Sequence, residues 1–592
     1  MEQSKIRNLA IIAHVDHGKT TLVDSMLKQS GIFHQRQVVR ERVLDRGELE
    51  RERGITIMSK HTSINYQGYK LNIVDTPGHA DFGSEVERIC QMVDGVLLLV
   101  DAVEGPMPQT RFVLRKALSQ NLVPIVVINK IDRPQARPDV TLDKVLDLFI
   151  ELGATEKQLE FPVLYAAARA GTATADLNQP KEDLEDLFKT IIEEIPAPGG
   201  DRIRPFQLAV AMLEYDSYLG RQVVGRIANG TVRERDEVAV IFPDGTVEKR
   251  RVATLAHYRG LQKEQIDQAQ AGEIVVIGGL GDVPVGATIA DPQSPQALPF
   301  VEIDEPTISM VFSANKSPFA GREGQFVTSR NLKERLAREM EDNVGLVVEP
   351  TDSPDAFVVS GRGELHLSIL IETMRREGYE FEVSRPKVIV REVDGEKLEP
   401  YEELLVDVPS DYVGQVMELL GPRQSELKRM ETRGEQTVLE FVLPTRGLFG
   451  LRAELLTATR GEAVMYHAFH HWGPLAGEIN PRQQGSLVAF ETGTATSFAL
   501  ENAQLRGELF IGPGVEVYRG MVVGEHSRAG DLQINVCKRK HLTNLRSSTA
   551  DISAKLIPPK VMSLEQYLEF LAEDELLEVT PKSLRVRKRE IP

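Results

Sequence analysis

The chain has 592 residues, which at roughly 150 residues per domain predicts about four domains and excludes a single packed core. Its 70 Lys and Arg against 88 Asp and Glu leave a formal net charge of −18, and its 41% hydrophobic and 27% charged residues exclude a disordered or membrane-spanning chain. The two cysteines, Cys90 and Cys537, form neither a disulfide framework nor a zinc-ligand pattern, so we expect the reducing environment of the cytoplasm.

The first 170 residues alternate apolar runs with helical patterns. Buried strands are predicted over residues 6–13, 71–74, 96–100, 123–128 and 161–166. Between them, apolar residues at three- and four-residue intervals predict helices over residues 20–29, 85–93 and 111–120. This alternation is typical of an α/β sheet, whose ligands bind beyond the carboxyl ends of the strands.

The first predicted strand ends in a candidate phosphate-binding loop, with the sequence Ala-His-Val-Asp-His-Gly-Lys-Thr over residues 13–20. Ala13 stands in place of the usual first glycine of that motif. Lys19 would place its charge between the β- and γ-phosphates, and the Thr20 hydroxyl would bind Mg²⁺. The residues predicted to hold the nucleotide here are Asp16, His17, Gly18, Lys19, Thr20 and Thr21. An unrelated turn, or a metal site built from the histidines and Asp16, are the alternatives.

Two further motifs follow later strands and point to a guanine nucleotide. The first is Asp75-Thr76-Pro77-Gly78-His79, in which Asp75 can hold Mg²⁺ through water and the Gly78 amide can contact the γ-phosphate. The second is Asn129-Lys130-Ile131-Asp132, where the Asp132 carboxylate can accept two hydrogen bonds that guanine donates and adenine cannot. Ala167 and Ala168 are predicted to contact the base through their backbone only. The sequence therefore predicts a site for GTP.

The remaining chain divides into four further regions. A polar Pro- and Gly-rich stretch over residues 194–201 marks the first boundary. Short Val- and Ile-rich segments then favour a small β-barrel, with a β-sandwich as the alternative, and two successive split βαβ patterns follow. The predicted domains are a P-loop GTP-binding α/β domain (1–200), a β-barrel (201–302), two ferredoxin-like α+β domains (303–394 and 395–480) and a C-terminal domain rich in β structure (481–592).

The C-terminal region carries one helical pattern and two basic runs. An acidic helix is predicted over residues 563–577. Residues 538–546 contain four Lys or Arg and residues 582–589 contain five, and neither run has an acidic residue. A phosphate-rich partner is one interpretation of these runs, and a solvated face is the other. The acidic net charge argues against a protein that coats nucleic acid, but a local basic patch can still bind RNA.

Two more features of the first domain resemble translational GTPases. Residues 53–57 read Arg-Gly-Ile-Thr-Ile, and His79 follows the glycine of the second motif. The resemblance implies that Thr56 closes over Mg²⁺ and the γ-phosphate and that His79 orients the attacking water. Val15 and Ile55 match the apolar gate that the family places beside that water. Thr56 thus joins Thr20 and Asp75 as a predicted metal ligand.

Longer strings make the resemblance more specific. They occupy residues 11–17, 105–111, 358–367 and 540–546, the last reading Lys-His-Leu-Thr-Asn-Leu-Arg. From residue 5 to the last residues, the chain resembles the BipA/TypA family of ribosome-associated translational GTPases. Members of that family contain domains like domains I, II, III and V of elongation factor G, followed by a C-terminal domain of their own.

The resemblance also implies a function. We expect a monomeric cytoplasmic GTPase that hydrolyses GTP to GDP, needs Mg²⁺, and binds the 70S or 50S ribosome, rRNA and the A-site tRNA, but neither DNA nor membranes. It implies a role in large (50S) ribosomal subunit assembly and in stress- or cold-adapted translation. The predicted RNA-binding residues are Lys538, Arg539, Lys540, His541, Asn544 and Arg546. The alternatives are a LepA-like elongation factor and a GTP-controlled binding switch that does not act on the ribosome.

Overall fold

The structure is a computed structural model that describes residues 2–14, 16–30, 48–53, 56, 60–77, 81, 83–216, 220–299, 305–343, 345–479, 482, 484–539 and 556–590. The chain divides into two compact units, Met1–Asp304 and Glu305–Pro592. Within those residues, no helix is both long enough and apolar enough to cross a membrane.

The first unit begins with a seven-stranded sheet in the order β2-β3-β1-β4-β5-β6-β7. Its strands are β1 (Ile6–Ala13), β2 (Lys60–Tyr66), β3 (Tyr69–Asp75), β4 (Gly95–Asp101), β5 (Val123–Asn129), β6 (Val163–Ala167) and β7 (Thr172–Thr174). Strands β3, β1, β4, β5 and β6 are parallel, whereas β2 and β7 are antiparallel edges. Because the central strands are parallel, the ends of β1, β3, β5 and β6 meet at one edge of the sheet, as the sequence predicts.

The described part of this domain also contains helices on both sides of the sheet. They are α1 (Lys19–Gln29), α2 (Glu48–Arg53), α3 (Gly83–Met92), α4 (Pro108–Ser119), α5 (Pro138–Glu151), α6 (Glu156–Leu159) and α7 (Glu185–Glu194). Two separate apolar clusters cover the two faces of the sheet. Burial on both faces explains why the central strands are continuous apolar runs. The polar β2 and the short β7 lack such runs, and the sequence analysis missed both.

The second part of this unit is the predicted β-barrel. Its strands are β8 (Gln207–Ala209), β9 (Met212–Asp216), β10 (Gly220–Asn229), β11 (Thr231–Arg233), β12 (Glu237–Ile241), β13 (Val247–Arg251), β14 (Thr254–Arg259), β15 (Gln262–Gln265), β16 (Gln268–Gln270), β17 (Ile274–Gly278) and β18 (Thr288–Ala290). The long β10 pairs with β8, β9 and β17. Gly225 lies at this crossing, where a Cβ would stand 2.1 Å from the Ala209 carbonyl oxygen, so only glycine fits.

The second unit contains two domains with the same ferredoxin-like topology. The first consists of β19 (Ile308–Ala314), α8 (Ser329–Asp342), β20 (Val347–Pro350), β21 (Ala356–Gly361), α9 (Glu364–Arg376) and β22 (Phe381–Ser384), with the short β23 (Lys387–Val388) paired to β19. The short β24 (Arg391–Val393) follows and pairs with the first strand of the second domain. The second consists of β25 (Glu396–Pro409), α10 (Val413–Leu420), β26 (Glu426–Arg433), β27 (Gln436–Pro444), α11 (Leu451–Ala458) and β28 (Val464–Pro474). In both, the third strand lies between the first and second strands, which confirms the two predicted split βαβ patterns.

The C-terminal region is rich in β structure, as predicted. It contains β29 (Ser486–Ala489), β30 (Gly493–Thr494), α12 (Ser497–Ala503), β31 (Gly507–Leu509), β32 (Glu516–Val517), β33 (Val522–His526), β34 (Leu532–Ile534), α13 (Leu564–Phe570), β35 (Glu575–Val579) and β36 (Leu584–Lys588). The β35–β36 hairpin is not part of the small sheet of its own region. Its β35 pairs with β22 of the first ferredoxin-like domain. One apolar cluster includes residues from both regions, so they share a hydrophobic core.

The helix predicted over residues 563–577 is wrong in its second half. Helix α13 ends at Phe570, and Leu571 already has extended backbone angles, with φ −55° and ψ 129°. Residues 575–579 form β35 between β22 and β36, which buries Leu577 and Val579 completely. Pairing with a strand from far earlier in the chain decides the conformation, because tertiary context overrides weak local propensity.

Most of the basic run over residues 582–589 is paired with carboxylates, whereas Lys582 and Arg589 are exposed. Arg587 contacts the Glu382 carboxylate with distances of 2.8 to 3.0 Å, and both side chains are almost fully buried. Lys588 Nζ lies 3.0 Å from carboxylate oxygens of both Asp574 and Glu575. Arg585 Nη1 donates to Glu578 at 3.1 Å. Three of the five cations therefore belong to internal ion pairs, which only the tertiary structure creates.

Candidate nucleotide site

The predicted phosphate loop connects β1 to α1 at the carboxyl edge of the first sheet. Gly18 is the residue before the first helical turn and has φ +95°, a left-handed conformation that favours glycine. A Cβ at Gly18 would lie 2.5 Å from Asn129 Nδ2, so a side chain there would also collide with the base motif. The loop thus presents the start of an 11-residue helix at its end, which is the arrangement that binds phosphate groups.

Lys19, Thr56 and Asp75 lie together beside this loop. Lys19 Nζ donates to Thr56 Oγ1 at 2.7 Å and lies 2.8 Å from Asp75 Oδ1. The Thr56 hydroxyl donates in turn to Asp75 Oδ2 at 3.4 Å. Lys19 also donates to the Thr76 carbonyl oxygen at 2.7 Å. Residues from three separate sequence motifs therefore meet around a single ammonium group.

Asn129 joins the phosphate loop to the loop that follows β6. Its Nδ2 donates to the carbonyl oxygen of His17 at 2.8 Å, and its Oδ1 accepts from the Ala168 N–H at 3.0 Å. Ala167 and Ala168 are buried, which agrees with a role limited to their backbone. Asp132 is exposed shortly after β5, where a bound base could reach its carboxylate.

Lys130 forms an ion pair with an acidic residue that was not predicted from the sequence. Its Nζ lies 2.6 Å from Asp101 Oδ2, at the end of β4. Burial acts to raise the pKa of Asp101, but the hydrogen bonds from Lys130 and from the Val103 amide outweigh it and leave that pKa below its usual value. Asp101 could have been found from the sequence, because it is the polar residue that ends a buried parallel strand at the ligand-binding edge.

The other predicted site residues divide between described and undescribed parts of the chain. Thr20 and Thr21 lie in the first turn of α1, and Asp16 is exposed in the loop before it. Lys538 and Arg539 are exposed, and Thr496 Oγ1 donates to the Lys538 carbonyl oxygen at 2.6 Å. The predicted residues outside the described part are Val15, Ile55, Gly78, His79, Lys540, His541, Asn544 and Arg546. Their roles stay predictions.

Four family models match the chain in succession. They are the elongation factor Tu GTP binding domain over residues 4–197, elongation factor Tu domain 2 over 220–290, the elongation factor G C-terminus over 396–483 and the TypA/BipA C-terminal domain over 484–592. The order of the matches agrees with the order of the domains predicted from the sequence. The last of them covers the region that distinguishes the predicted family from its relatives.

Curated relatives match over nearly the whole chain. The protein named large ribosomal subunit assembly factor BipA from Synechocystis sp. is 54% identical over 98% of both chains. Proteins of the same name from Bacillus subtilis and Escherichia coli K12 are each 52% identical over 99% of this chain and over 96% and 97% of their own. A crystal structure from Thermus thermophilus covers 80% of this chain and 97% of its own with a TM-score of 0.55, but at 17% identity that likeness concerns the fold alone.

Proposed function

The chain belongs to the BipA/TypA family of translational GTPases, and from that premise we propose that it binds the ribosome in its GTP form and acts in assembly of the large ribosomal subunit. It is a GTPase, which hydrolyses GTP to GDP and phosphate. The relatives from three organisms carry a name that states this assembly role. We place the activity in the cytoplasm, with the protein acting as a monomer on rRNA and near the A-site tRNA, and we retain stress- or cold-adapted translation as a prediction.

The observation that carries this proposal is the meeting of Lys19, Thr56 and Asp75 beside the phosphate loop. An ammonium group shared by a hydroxyl and a buried carboxylate is poised to exchange these partners for phosphate oxygens. Thr56 belongs to the segment that the family uses to sense the γ-phosphate. Binding of GTP would therefore change the contacts of all three residues, as a switch requires.

We further propose that Thr20, Thr56 and Asp75 hold Mg²⁺ together with the nucleotide. Hydroxyl and carboxylate oxygens are hard ligands, and Mg²⁺ prefers one or two protein oxygens combined with phosphate oxygens and water. Within the described ranges, no group of three His, Cys, Asp or Glu side chains could hold a metal ion. The donor set thus fits a metal that arrives with the nucleotide. When bound, Mg²⁺ would neutralise charge that develops on the phosphate oxygens.

The nucleotide assignment is tested by direct titration with GTP and ATP. We expect clear preference for GTP, because Asp132 pairs with two donors that adenine lacks. Asp132→Asn should weaken GTP binding and favour xanthosine triphosphate, whose ring offers the complementary groups. Equal affinity for GTP and ATP in the wild-type chain would contradict the proposed function.

The role of His79 is tested separately from binding. His79→Ala should leave GTP affinity intact but abolish the stimulation of hydrolysis by ribosomes, because a positioned histidine orients the attacking water. The apolar gate residues Val15 and Ile55 should show smaller losses of the same kind when changed to alanine. Ribosome-stimulated rates that stay at the wild-type level in His79→Ala would remove this residue from the mechanism.

Ribosome binding separates the proposal from its alternatives. We expect the chain to cosediment with ribosomes when a non-hydrolysable GTP analogue is present, and less so with GDP. The match of residues 484–592 to the TypA/BipA C-terminal domain favours this family over a LepA-like factor. A chain that binds GTP but stays in the supernatant at low salt would support a switch with a non-ribosomal partner.

A further inference from the structure

The His17 side chain is buried in the phosphate loop and has a partner at each ring nitrogen. Its side chain is 0% exposed. The Asp101 N–H donates to Nδ1 at 3.3 Å, and Nε2 lies 3.3 Å from Glu104 Oε2. Nδ1 also lies 3.5 Å from the Leu99 carbonyl oxygen. These neighbours on both sides fix the orientation of the ring.

The backbone of the same residue supports the nucleotide site. The carbonyl oxygen of His17 accepts the hydrogen bond from Asn129 Nδ2 at 2.8 Å. Gly18 and Lys19 follow directly, and they form the turn that faces the phosphates. A shift of the His17 backbone would therefore move both the link to the base motif and the start of α1.

The turn that contacts the His17 ring also contacts the predicted base-binding motif. Residues 101–105 form a turn, in which the Gly105 N–H donates to the Asp101 carbonyl oxygen at 2.9 Å and the Val103 N–H donates to Asp101 Oδ1 at 2.7 Å. Asp101 Oδ2 lies 2.6 Å from Lys130 Nζ. This turn thus contacts Lys130 of the base motif through Asp101 and the phosphate loop through Glu104.

We infer that Glu104 is a positioning residue for nucleotide binding: through the His17 ring it holds the phosphate loop in the conformation that retains GDP and GTP. The inference rests on the proposed function, since it concerns the same nucleotide site. The hydrogen bond from His17 lowers the pKa of Glu104, which keeps the carboxylate ionised at neutral pH.

The strength of the effect depends on burial. The Glu104 side chain is 45% exposed, and an ion pair at such a position usually contributes little. Here, however, the other partner is the fully buried His17 ring, and removal of Glu104 takes away the carboxylate that lies 3.3 Å from its Nε2. Solvent and salt screen a contact with a buried group less than a contact between two exposed groups, and we expect dissociation of GDP to become about tenfold faster.

The test compares Glu104→Ala, Glu104→Gln and the control Glu160→Ala in the full chain. Glu160 is an exposed glutamate of the same domain, at the end of α6. Release of N-methylanthraniloyl-GDP is followed by stopped-flow fluorescence. We expect the fastest release from Glu104→Ala, an intermediate rate from Glu104→Gln because its amide oxygen still accepts, and the wild-type rate from the control. Glu104→Ala should lower the unfolding midpoint of the nucleotide-free chain only slightly, because a single contact is lost, while the release rate changes about tenfold, which separates positioning from a general structural role.

A double-mutant cycle identifies the route through His17. In a His17→Leu background, Glu104→Ala should produce no further acceleration, because the ring that connects it to the loop is gone. If His17→Leu does not fold, the release rate of the single variant Glu104→Ala decides whether the inference holds. A release rate of Glu104→Ala within twofold of wild type, or full additivity in the cycle, would overturn the inference and leave the proposed function intact. Failure of the wild-type chain to bind GDP would instead refute the proposed function.

Discussion

Two junctions between domains are built in different ways. In the first unit, the GTPase–barrel junction, where β2 meets β14, contains a β-bridge between Ser63 and Gly260, with hydrogen bonds of 3.2 and 2.8 Å. In the second unit, the hairpin junction, where β35 and β36 extend β22, contains a continuous antiparallel ladder. Each junction also includes a shared apolar cluster.

The polar groups at the two junctions differ even more. The GTPase–barrel junction buries a histidine, His61, whose ring centroid lies 4.8 Å from that of Tyr258. Burial lowers the pKa of His61 to about 3, and the charge on Lys70 adds to this effect, so the histidine is neutral. The hairpin junction instead buries the ion pair of Glu382 with Arg587 and places four donors around the fully buried Glu578, from Asn315, Ser317, Tyr518 and Arg585.

The hairpin junction shows that a late segment of the chain can complete an earlier domain. The first ferredoxin-like domain does not expose β22 as an edge, because the hairpin from the end of the chain covers it. Among the described strands of the second ferredoxin-like domain, the corresponding β28 pairs with β25 and gains no further neighbour. We therefore expect the hairpin junction to be essential for folding and the GTPase–barrel junction to be adjustable by pH and by single side chains.

The largest expected effect comes from deletion of residues 575–592. The deletion removes Leu577, Val579 and Val586 from the shared core and leaves Glu382 without its partner. We expect a loss of more than about 5 kcal/mol, comparable to the stability of a whole domain. Urea unfolding followed by the fluorescence of Trp472, the only tryptophan, reports on this unit. A control that lacks only residues 590–592 should behave like the full chain, and an unchanged midpoint in the longer deletion would contradict the shared core.

The second effect concerns the buried ion pair. Arg587→Met should destabilise the second unit by about 3 to 5 kcal/mol, because it leaves the Glu382 carboxylate buried and unpaired. The double variant with Glu382→Met should recover much of that loss. As the control, Arg330→Met breaks an exposed pair with Glu334 in α8 and should have no measurable effect. Equal effects of the two single variants, measured by urea unfolding, would show that burial does not matter here.

The third effect is a pH dependence at the GTPase–barrel junction. The pKa of His61 is about 3 in the folded chain and 6.5 when exposed, so the unfolded chain takes up a proton first and stability falls as the pH drops from 6.5 towards 3. Between pH 7 and pH 5 this amounts to about 2 kcal/mol. Between pH 7 and pH 5, the free energy of unfolding should fall by about 2 kcal/mol less in His61→Gln than in the wild-type chain. Urea-induced release of fluorescent GDP measures this difference. The pKa of His257 is also lowered, but His257 is present in both proteins, so its contribution to the pH dependence cancels in the comparison. Identical pH profiles would contradict the buried neutral state.

The smallest effect concerns one hydrogen bond at the same junction. Thr62 Oγ1 donates to the Gly260 carbonyl oxygen at 2.7 Å and is buried. Thr62→Val keeps the shape and removes the donor, which should cost about 1 kcal/mol in the same assay. Thr190→Val is the matched control, because its hydroxyl bonds within helix α7, to the Asp186 carbonyl oxygen. A loss no greater than that of the control would show that the hydroxyl does not support the junction.

Local sequence patterns were enough to predict the central sheet, the three nucleotide motifs and the order of the domains. Residues such as Lys19, Asp75 and Asn129 could be placed because each follows a continuous apolar strand, and parallel strands bring their carboxyl ends to one edge. The two split βαβ patterns could also be predicted, because the periodicity of apolar residues and the turn residues are local signals. The family resemblance, carried by short strings, added the expected roles of Thr56 and His79.

The partners of polar groups that are far apart in the chain could not be predicted and are known from the three-dimensional fold. The fold placed residues 575–577, predicted as the end of a helix, in β35, and it paired Arg587 with Glu382, 205 positions away. It also brought Glu104 to His17. The physical reason is that a local pattern reports burial and period but does not identify the distant group that compensates a buried charge. Long-range pairing, and not local secondary-structure propensity, therefore determines the hairpin junction and the contact of the 101–105 turn with the phosphate loop.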